Sequence, residues 1–365
     1  MSGERFRQAR ELRGLTQTEL ANRIGVNQSN IAHVESGVME ASDVLIRAVA
    51  FQTGFPVSHF QQDDPPEFTY GSLLFRSRVA MGAQERRVAY RYGQTAFELA
   101  EKLGRRLRTP PLALPRISEP PKIAAAMMRS ALGIPPDAPI SKLINTLERH
   151  GVIILASPVP PVAHDAYSLW AGTNRERAVM IIAAGLPGDR LRFSVGHELR
   201  HLTYPATGTR QEIERDADVF SAEFLMPDEA MRAEILPPVT LAGLARLKPK
   251  WGVSIQALAK RAVDLAIIND RRYRYLMQQI GMRGWRTSEP PQVAVERPRG
   301  LRQMAEHLYG KPIDYSKLAA DVRLSTALVR ELIELHAGKV MDRKPSGKAG
   351  KVLDINDLRP PRVQS

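Results

Sequence analysis

The segment His197-Glu198-Leu199-Arg200-His201 sets two imidazoles four residues apart. On a helix such residues share a face, so both rings can reach one metal ion. Glu198 sits one position round, where a carboxylate can hold a water molecule and act as general base. Leu191, Phe193, Val195, Leu199 and Leu202 give that helix a buried side. A catalytic zinc ion (Zn2+) wants a third protein ligand and one open position. Downstream, the stretch from Glu212 to Pro227 has helical periodicity, with Ala217, Phe220, Phe224 and Leu225 inward. Glu214 and Asp218 lie four apart on one face there. A carboxylate at that place can meet the two histidines, and Asp218 would then orient one ring from behind. Glu212, Asp216 and Glu223 are rival carboxylates that spacing alone does not remove. With no cysteine in the chain, any zinc must be held by histidine and carboxylate, the ligand set of a hydrolytic site more than of a structural one. No transition-state stabiliser is evident; Tyr204 and His164 are the conceivable groups, and a lone residue of either type more often packs or lies on the surface.

A second pattern lies near the start. Glu4–Arg13 reads as an amphipathic helix. Thr16-Gln17-Thr18-Glu19 has the capping-box form, and the helix Gln17–Ile24 stops at Gly25, which can take the left-handed conformation. Val26 plugs the corner, Asn27 caps a further helix, Gln28–Ser36, and Gly37 closes it. Two short helices joined by a tight glycine turn make a helix-turn-helix. Ala21, Ile24, Val26, Ile31 and Val34 fall inward, leaving Gln28, Ser29, Asn30 and His33 on the outer face. Gln and Asn can pair both hydrogen-bonding edges of adenine, and the helix N-terminus favours phosphate. The stretch LTQTELANRIGVNQSNIAHVESG resembles the XRE/Cro-type helix-turn-helix of phage repressors. That resemblance implies binding of double-stranded DNA, with Gln17 touching the backbone and steadying the reading helix, and with Arg10 and Glu35 as a structural pair.

The metal-ligand pattern has a resemblance of its own. LRFSVGHELRH followed by ERDADVFSAEFLMP is similar to the ImmA/IrrE family of metallopeptidases. Carried over by position, the resemblance makes His197, His201 and Glu214 the zinc ligands and Glu198 the general base. It continues through LKPKWGVSIQALAKRAVDLAIIND and GWRTSEP, so that the two resemblances together cover residues 1–290. One departure stands out: the family commonly has glycine where this chain has Arg200, and a long cation near the metal could narrow the cleft or bind a substrate carboxylate.

These motifs need elements to position them. Clusters at Asp63–Pro66, Pro110–Pro121, Pro237-Pro238 and Pro290-Pro291 punctuate the chain. Residues 70–109 read as one or two arginine-rich helices with a stripe of Leu73, Leu74, Phe75, Val88, Phe97 and Leu103. Apolar runs at 152–155 and 179–182 have strand length, whereas 191–203, 212–226 and 240–285 are helical. In zinc peptidases a strand preceding the metal helix binds extended substrate by backbone pairing, which here points to 179–182. Lys248–Leu265 and Leu318–Ile333 repeat the helix, turn, helix form, which any compact helical hairpin also gives. The expected fold is mainly α with an α+β middle: a five-helix XRE/Cro-like domain, a zincin-like α+β core and a helical C-terminal region. The expected boundaries are a helix-turn-helix domain at 1–64, a basic helical linker at 65–120 and a metallopeptidase core at 121–236. A helical subdomain packed on that core follows at 237–290, then a C-terminal helical segment at 291–340 and an unstructured tail at 341–365.

Composition narrows the function classes. The chain has 365 residues, 43% hydrophobic content and a net charge of +13. Without cysteine it is neither a disulfide-stapled secreted module nor a cysteine-nucleophile enzyme. Its apolar runs are too short for a membrane span, and MSGERFRQAR lacks the apolar segment of a secretory signal, so the expected location is cytoplasmic with no membrane partner. The charge is uneven. Residues 1–60 hold six arginines and six acids and are neutral, whereas 71–130 and 241–300 each carry +8 and 201–240 carries −5. A neutral reading module binds DNA weakly alone, so a homodimer or a neighbouring basic segment has to add phosphate contacts. The leading expectation is a DNA-binding transcriptional regulator with a zinc endopeptidase domain that cuts a partner protein such as a repressor, in the control of mobile elements or stress. The alternatives are a non-proteolytic transcription factor whose zinc domain senses a ligand or binds a partner, and the partner half of a toxin–antitoxin or phage-immunity pair.

Overall fold

The computed structural model describes residues 2–69, 82–158, 165–204 and 208–336. The expectations for Leu73, Leu74, Phe75 and His164, and for the tail from Met341, lie outside the described residues. Five helices open the chain: α1 (Gly3–Leu12), α2 (Gln17–Ile24), α3 (Gln28–Glu35), α4 (Asp43–Thr53) and α5 (Val57–Phe60). Thr16 and Glu19 form the reciprocal capping box before α2, and Gly25 ends that helix at φ +71°. Asn27 occupies the cap position of α3 without a side-chain hydrogen bond to it. Arg10 and Glu35 pair through two contacts of 2.6 and 2.8 Å, joining α1 to α3.

A long helix, α6 (Ala83–Gly104), follows, then α7 (Pro121–Ala131) and α8 (Leu143–Arg149). Three strands come next, β1 (Ile153–Ser157), β2 (Ala166–Ala171) and β3 (Arg177–Ala183). They form one sheet in the order β1-β3-β2, with β1 parallel and β2 antiparallel to β3. The run 179–182 is therefore the middle of the sheet, hydrogen-bonded on both sides, and cannot pair an extended substrate. That expectation is corrected: β3 is the centre, and β2 flanks it on the side opposite β1. The sequence reading passes over β2 because Ala-Tyr-Ser-Leu-Trp-Ala has neither a β-branched run nor a continuous apolar one.

The metal-motif helix α9 (Gly188–Thr203) and its partner α10 (Arg210–Leu225) lead into α11 (Asp228–Glu234), α12 (Leu241–Trp251), α13 (Ile255–Asp264) and α14 (Asp270–Met282). The described chain closes with α15 (Gly300–Tyr309), α16 (Tyr315–Val322) and α17 (Thr326–Glu334). The architecture is thus mainly α with an α+β middle and a helical C-terminal region, as the sequence pattern predicts. Both extra helix-turn-helix patterns form: α12 turns into α13 through left-handed Gly252, and α16 into α17 through left-handed Arg323.

Strand alternation divides the core in two. Ile154, Ala166, Ala178, Met180 and Ile182 face α9, α10 and the helices that follow. Leu155, Tyr167, Leu169, Val179 and Ile181 face the other way, into a core shared with α6, the first five helices and α15–α17. Polar anchors fix the second packing. Arg5 of α1 donates to Glu98 of α6 at 2.7 Å, and Lys102 approaches the same carboxylate at 2.9 Å. Arg91 of α6 bridges Glu4 and Glu11 of α1 at 2.6 and 2.7 Å. Around the metal-motif helix, buried Lys248 bonds Asp189 at 2.7 Å and the Glu289 carbonyl at 2.8 Å. Glu289 in turn accepts the Ile255 and Gln256 amides at the start of α13, which gives the GWRTSEP segment a physical role.

Burial raises the pKa of Glu98, but hydrogen bonds and charge from Arg5 and Lys102 outweigh it and bring the pKa to about 2. A carboxyl whose folded pKa lies below its unfolded value stabilises the fold above the unfolded pKa, and that contribution is lost as pH falls toward the folded one. The Glu98 contribution is therefore present at neutral pH and disappears between the ordinary value of 4.5 and about 2. Glu98→Gln is expected to lower stability at pH 7 by about 3 kcal/mol and to flatten the acid limb. Urea denaturation of both proteins across that pH range measures it; parallel acid limbs would contradict this role for Glu98.

Candidate functional site

The site grows out of the contact between α9 and α10. A Cβ on Gly196 would lie 2.6 Å from Ser221 Oγ, so glycine is needed for the helices to come this close. Ser221 Oγ donates to the Phe193 carbonyl at 2.8 Å and fixes the register. One turn along, that register sets Glu214 and Asp218 of α10 opposite His197 and His201 of α9. His197 Nε2 and His201 Nε2 are 2.9 Å apart. Glu214 Oε2 is 3.4 Å from the first and Glu214 Oε1 3.5 Å from the second. His197, His201 and Glu214 are the cluster, among the described residues, whose donor atoms could hold a metal ion. Burial works against the charged form of Glu214, but the two histidines override it and hold its carboxyl well below the usual carboxylate range.

The surrounding groups are ordered. Asp218 Oδ1 lies 2.7 Å from His197 Nδ1. A carboxylate accepts, so Nδ1 carries the proton and the Nε2 lone pair faces Glu214 and His201. Glu198 is fully buried, and its Oε2 accepts a hydrogen bond of 2.7 Å from Ser168 Oγ on β2. Sequence reasoning missed Ser168; its only signal is a polar residue on the inward face of a short alternating strand, legible once Ala166-Tyr167-Ser168-Leu169 is read with period two.

The rival carboxylates are all engaged elsewhere. Glu212 caps α10 through Thr209, accepting from its amide at 2.8 Å. Glu223 pairs with Arg261 of α13 and accepts the Asp228 amide at 2.9 Å. Asp216 pairs with Arg200 at 2.5 Å. Arg200 itself does not enter a cleft, and the expectation that it narrows one or binds substrate is corrected. It is 1% exposed, donates to the Ile117 and Glu119 carbonyls at 3.0 and 2.9 Å, and lies 4.0 Å over the Tyr204 ring. The guanidinium thus straps the segment before α7 to α9 and α10. Tyr204, one conceivable transition-state group, serves as the platform for that guanidinium.

On α3, Gln28, Ser29 and His33 are exposed, as is Asn27 before them, and Asn30 is half-buried. Gln17 donates to Glu35 at 2.8 Å and accepts from Gln28 at 2.8 Å. Arg10, Glu35, Gln17 and Gln28 therefore form one chain of polar contacts from α1 to the first residue of the reading helix.

Two comparisons with known families bear on these sites. Residues 6–50 match the helix-turn-helix family model, and residues 147–263 match that of the IrrE N-terminal-like domain, a peptidase family. No curated protein matches the chain. The chain joins an XRE-type helix-turn-helix to an IrrE-like domain. The first match covers α1 to most of α4; the second covers β1–β3, α9 and α10, and so contains every residue of the cluster. No helix among the described residues is long and apolar enough to cross a membrane.

Arg200→Ala would leave Asp216 and two carbonyls without their cation and is expected to cost about 3 kcal/mol of stability. Urea denaturation of the full chain reads this directly. A loss below about 1 kcal/mol would mean that the strap contributes no more than a surface pair.

Proposed function

We propose that this chain is a DNA-binding transcriptional regulator whose IrrE-like domain is a zinc endopeptidase acting on a partner protein such as a repressor. The observation that carries the proposal is the juxtaposition of the His197–His201–Glu214 cluster with a buried carboxylate, Glu198, held by Ser168. A tetrahedral zinc with bonds of about 2.0–2.1 Å wants donor atoms about 3.3 Å apart. The Glu214 oxygens, at 3.4 Å from one ring nitrogen and 3.5 Å from the other, are near that spacing, and the two ring nitrogens, at 2.9 Å, are closer than it. His197 and His201 would hold the ion through Nε2, and Glu214 through its carboxylate. When bound, the ion supplies Lewis-acid polarisation of the scissile carbonyl.

The remaining work falls to the chain's own groups. Asp218 keeps the proton on His197 Nδ1, so that Nε2 stays a donor of its lone pair. Glu198 takes the proton of the attacking water on its carboxylate and returns it to the leaving amine, the ordinary course of general base followed by general acid. Ser168 Oγ holds Glu198 Oε2 and so fixes the direction of the carboxylate. On the outer side of β2 the chain's own residues pair with it: Ala171 bridges to Phe68, and the Gly172 amide donates to the Glu67 carbonyl at 3.2 Å. On the DNA side, Gln28, Ser29, Asn30 and His33 read the groove, Asn27 lies at the helix N-terminus beside them, and Gln17 steadies Gln28.

One observation favours the second reading, in which the zinc domain senses a ligand or holds a partner without cutting it. His197 and Glu198 are both 0% exposed, an enclosure that suits a small molecule better than a peptide chain. The discriminating experiment compares wild type with Glu198→Gln in cells that express a candidate repressor. The endopeptidase reading predicts that repressor levels fall with wild type and hold with the variant, while zinc content is the same in both. Equal repressor levels in the two strains, for every repressor encoded beside the gene, would favour sensing.

A further inference from the structure

We infer that the face of α14 and the turn after it form a second contact surface for double-stranded DNA, one that grips phosphates rather than reads bases. The inference rests on the DNA-binding reading above and adds to it a basic surface whose helix packs in the core on the other face of the sheet from the helix-turn-helix. Of the six arginines in the first sixty residues, four are engaged inside the protein. Arg5 pairs with Glu98, Arg10 with Glu35, and Arg7 with Glu4; Arg13 donates to the Thr53 carbonyl and lies over Phe55. Only Arg23 and Arg47 remain exposed. Two cations per module are few against the several phosphate contacts that ordinary duplex binding uses.

The segment 270–286 has the opposite character. It carries Arg271, Arg272, Arg274, Arg283 and Arg286 against the single acid Asp270. Arg271, Arg274, Arg283 and Arg286 are exposed, and among the described residues none of the five is ion-paired. Several buried arginines elsewhere in the molecule are matched with carboxylates, as Arg200 and Arg261 show. A run of unmatched arginines along one helix and the turn after it is costly in self-repulsion and makes sense where a polyanion neutralises it. The side chains are also partly preorganised. Arg272 lies 5.3 Å over the Tyr275 ring and donates to the Val239 carbonyl at 3.1 Å, and Arg283 lies 5.6 Å over Trp285. Asn269, Arg271, Arg272 and Tyr275 line a shallow depression of about 260 Å³ beside them.

The same stacking selects the partner. Single-stranded nucleic acid is held by stacking bases on open aromatic faces. Here the Arg272 and Arg283 guanidiniums lie over Tyr275 and Trp285, so cations compete with bases for these rings. Planar arginine forks suit phosphate oxygens on a duplex backbone.

The test is fluorescence anisotropy of the full chain on a labelled random-sequence duplex about three helical turns long, over a range of salt concentrations. Arg271→Ala with Arg274→Ala and Arg283→Ala is expected to flatten the slope of log K against log salt by about 2 to 3, since each phosphate contact contributes about 0.9. The matching Arg→Lys triple keeps the charge and is expected to keep the slope, which separates lost contacts from a damaged fold. An unchanged slope in the alanine triple overturns the inference. So does an equal flattening by Arg105→Ala with Arg108→Ala and Arg299→Ala, which removes the same charge elsewhere, or tighter binding of single strand than of duplex. A reading-helix variant, Gln28→Ala with Asn30→Ala, keeps the two questions apart. It should lose protection of the protein's own promoter and retain the random-duplex slope. Wild-type binding whose slope ignores α14 overturns this inference alone, and absence of all duplex binding overturns the DNA reading with it.

Discussion

Two imidazole nitrogens and a carboxylate, all within 3.5 Å of one another, point lone pairs at the same small volume. Such a concentration of electron density is repulsive unless a cation or a shared proton sits among the donors. Much of the middle of the molecule is arranged around that constraint. Gly196 and Ser221 let α9 and α10 approach closely enough to create the cluster, and Asp218 fixes the ring that faces it. Arg200 ties Asp216 to the segment before α7, and Arg261 ties Glu223 to α13, so the neighbouring carboxylates are held out of the cluster. The region 201–240, with its charge of −5, makes the surroundings favourable to a cation as a whole.

The sheet links this centre to the other end of the chain. Its two faces alternate along each strand, so β3 contributes Met180 to the core behind α9 and Ile181 to the core shared with the helix-turn-helix. Buried ion pairs at Arg5–Glu98 and Arg91–Glu4–Glu11 then fix α1 against α6. The reading helix is joined to that base through Arg10, Glu35 and Gln17. Ser168 and Tyr167 are consecutive residues of β2, yet one holds Glu198 and the other donates to the Ala89 carbonyl of α6 at 3.2 Å. A displacement of that strand would therefore be felt both at the cluster and at the helix on which the helix-turn-helix rests.

Local signals made much of this legible. Capping residues and left-handed glycines placed α2 to the residue and α3 to within one residue at its end, because the signals at these boundaries lie within four positions. The histidines four apart announced a shared helical face for the same reason. What escaped the sequence was non-local. Whether 179–182 is an edge or a centre depends on which strands flank it, and β2 has no strong pattern of its own. The environment of Arg200 depends on carbonyls at Ile117 and Glu119, more than eighty residues away, which no spacing rule reaches. Spacing left Glu212, Asp216 and Glu223 as rivals of Glu214; the contacts each of them makes elsewhere could only be seen in three dimensions. The charge of +13 was visible at once, but its distribution between paired arginines at the start and unpaired ones on α14 was not.

The cluster is a metal site only if the protein carries metal there. Purified full-length protein, analysed by plasma mass spectrometry after removal of loosely bound ions, is predicted to carry about one zinc per chain. His201→Ala and Glu214→Ala should each lose it, while Glu212→Ala should keep it. A wild-type protein without stoichiometric metal, or a Glu214→Ala variant that retains it in full, would contradict the assignment of the cluster.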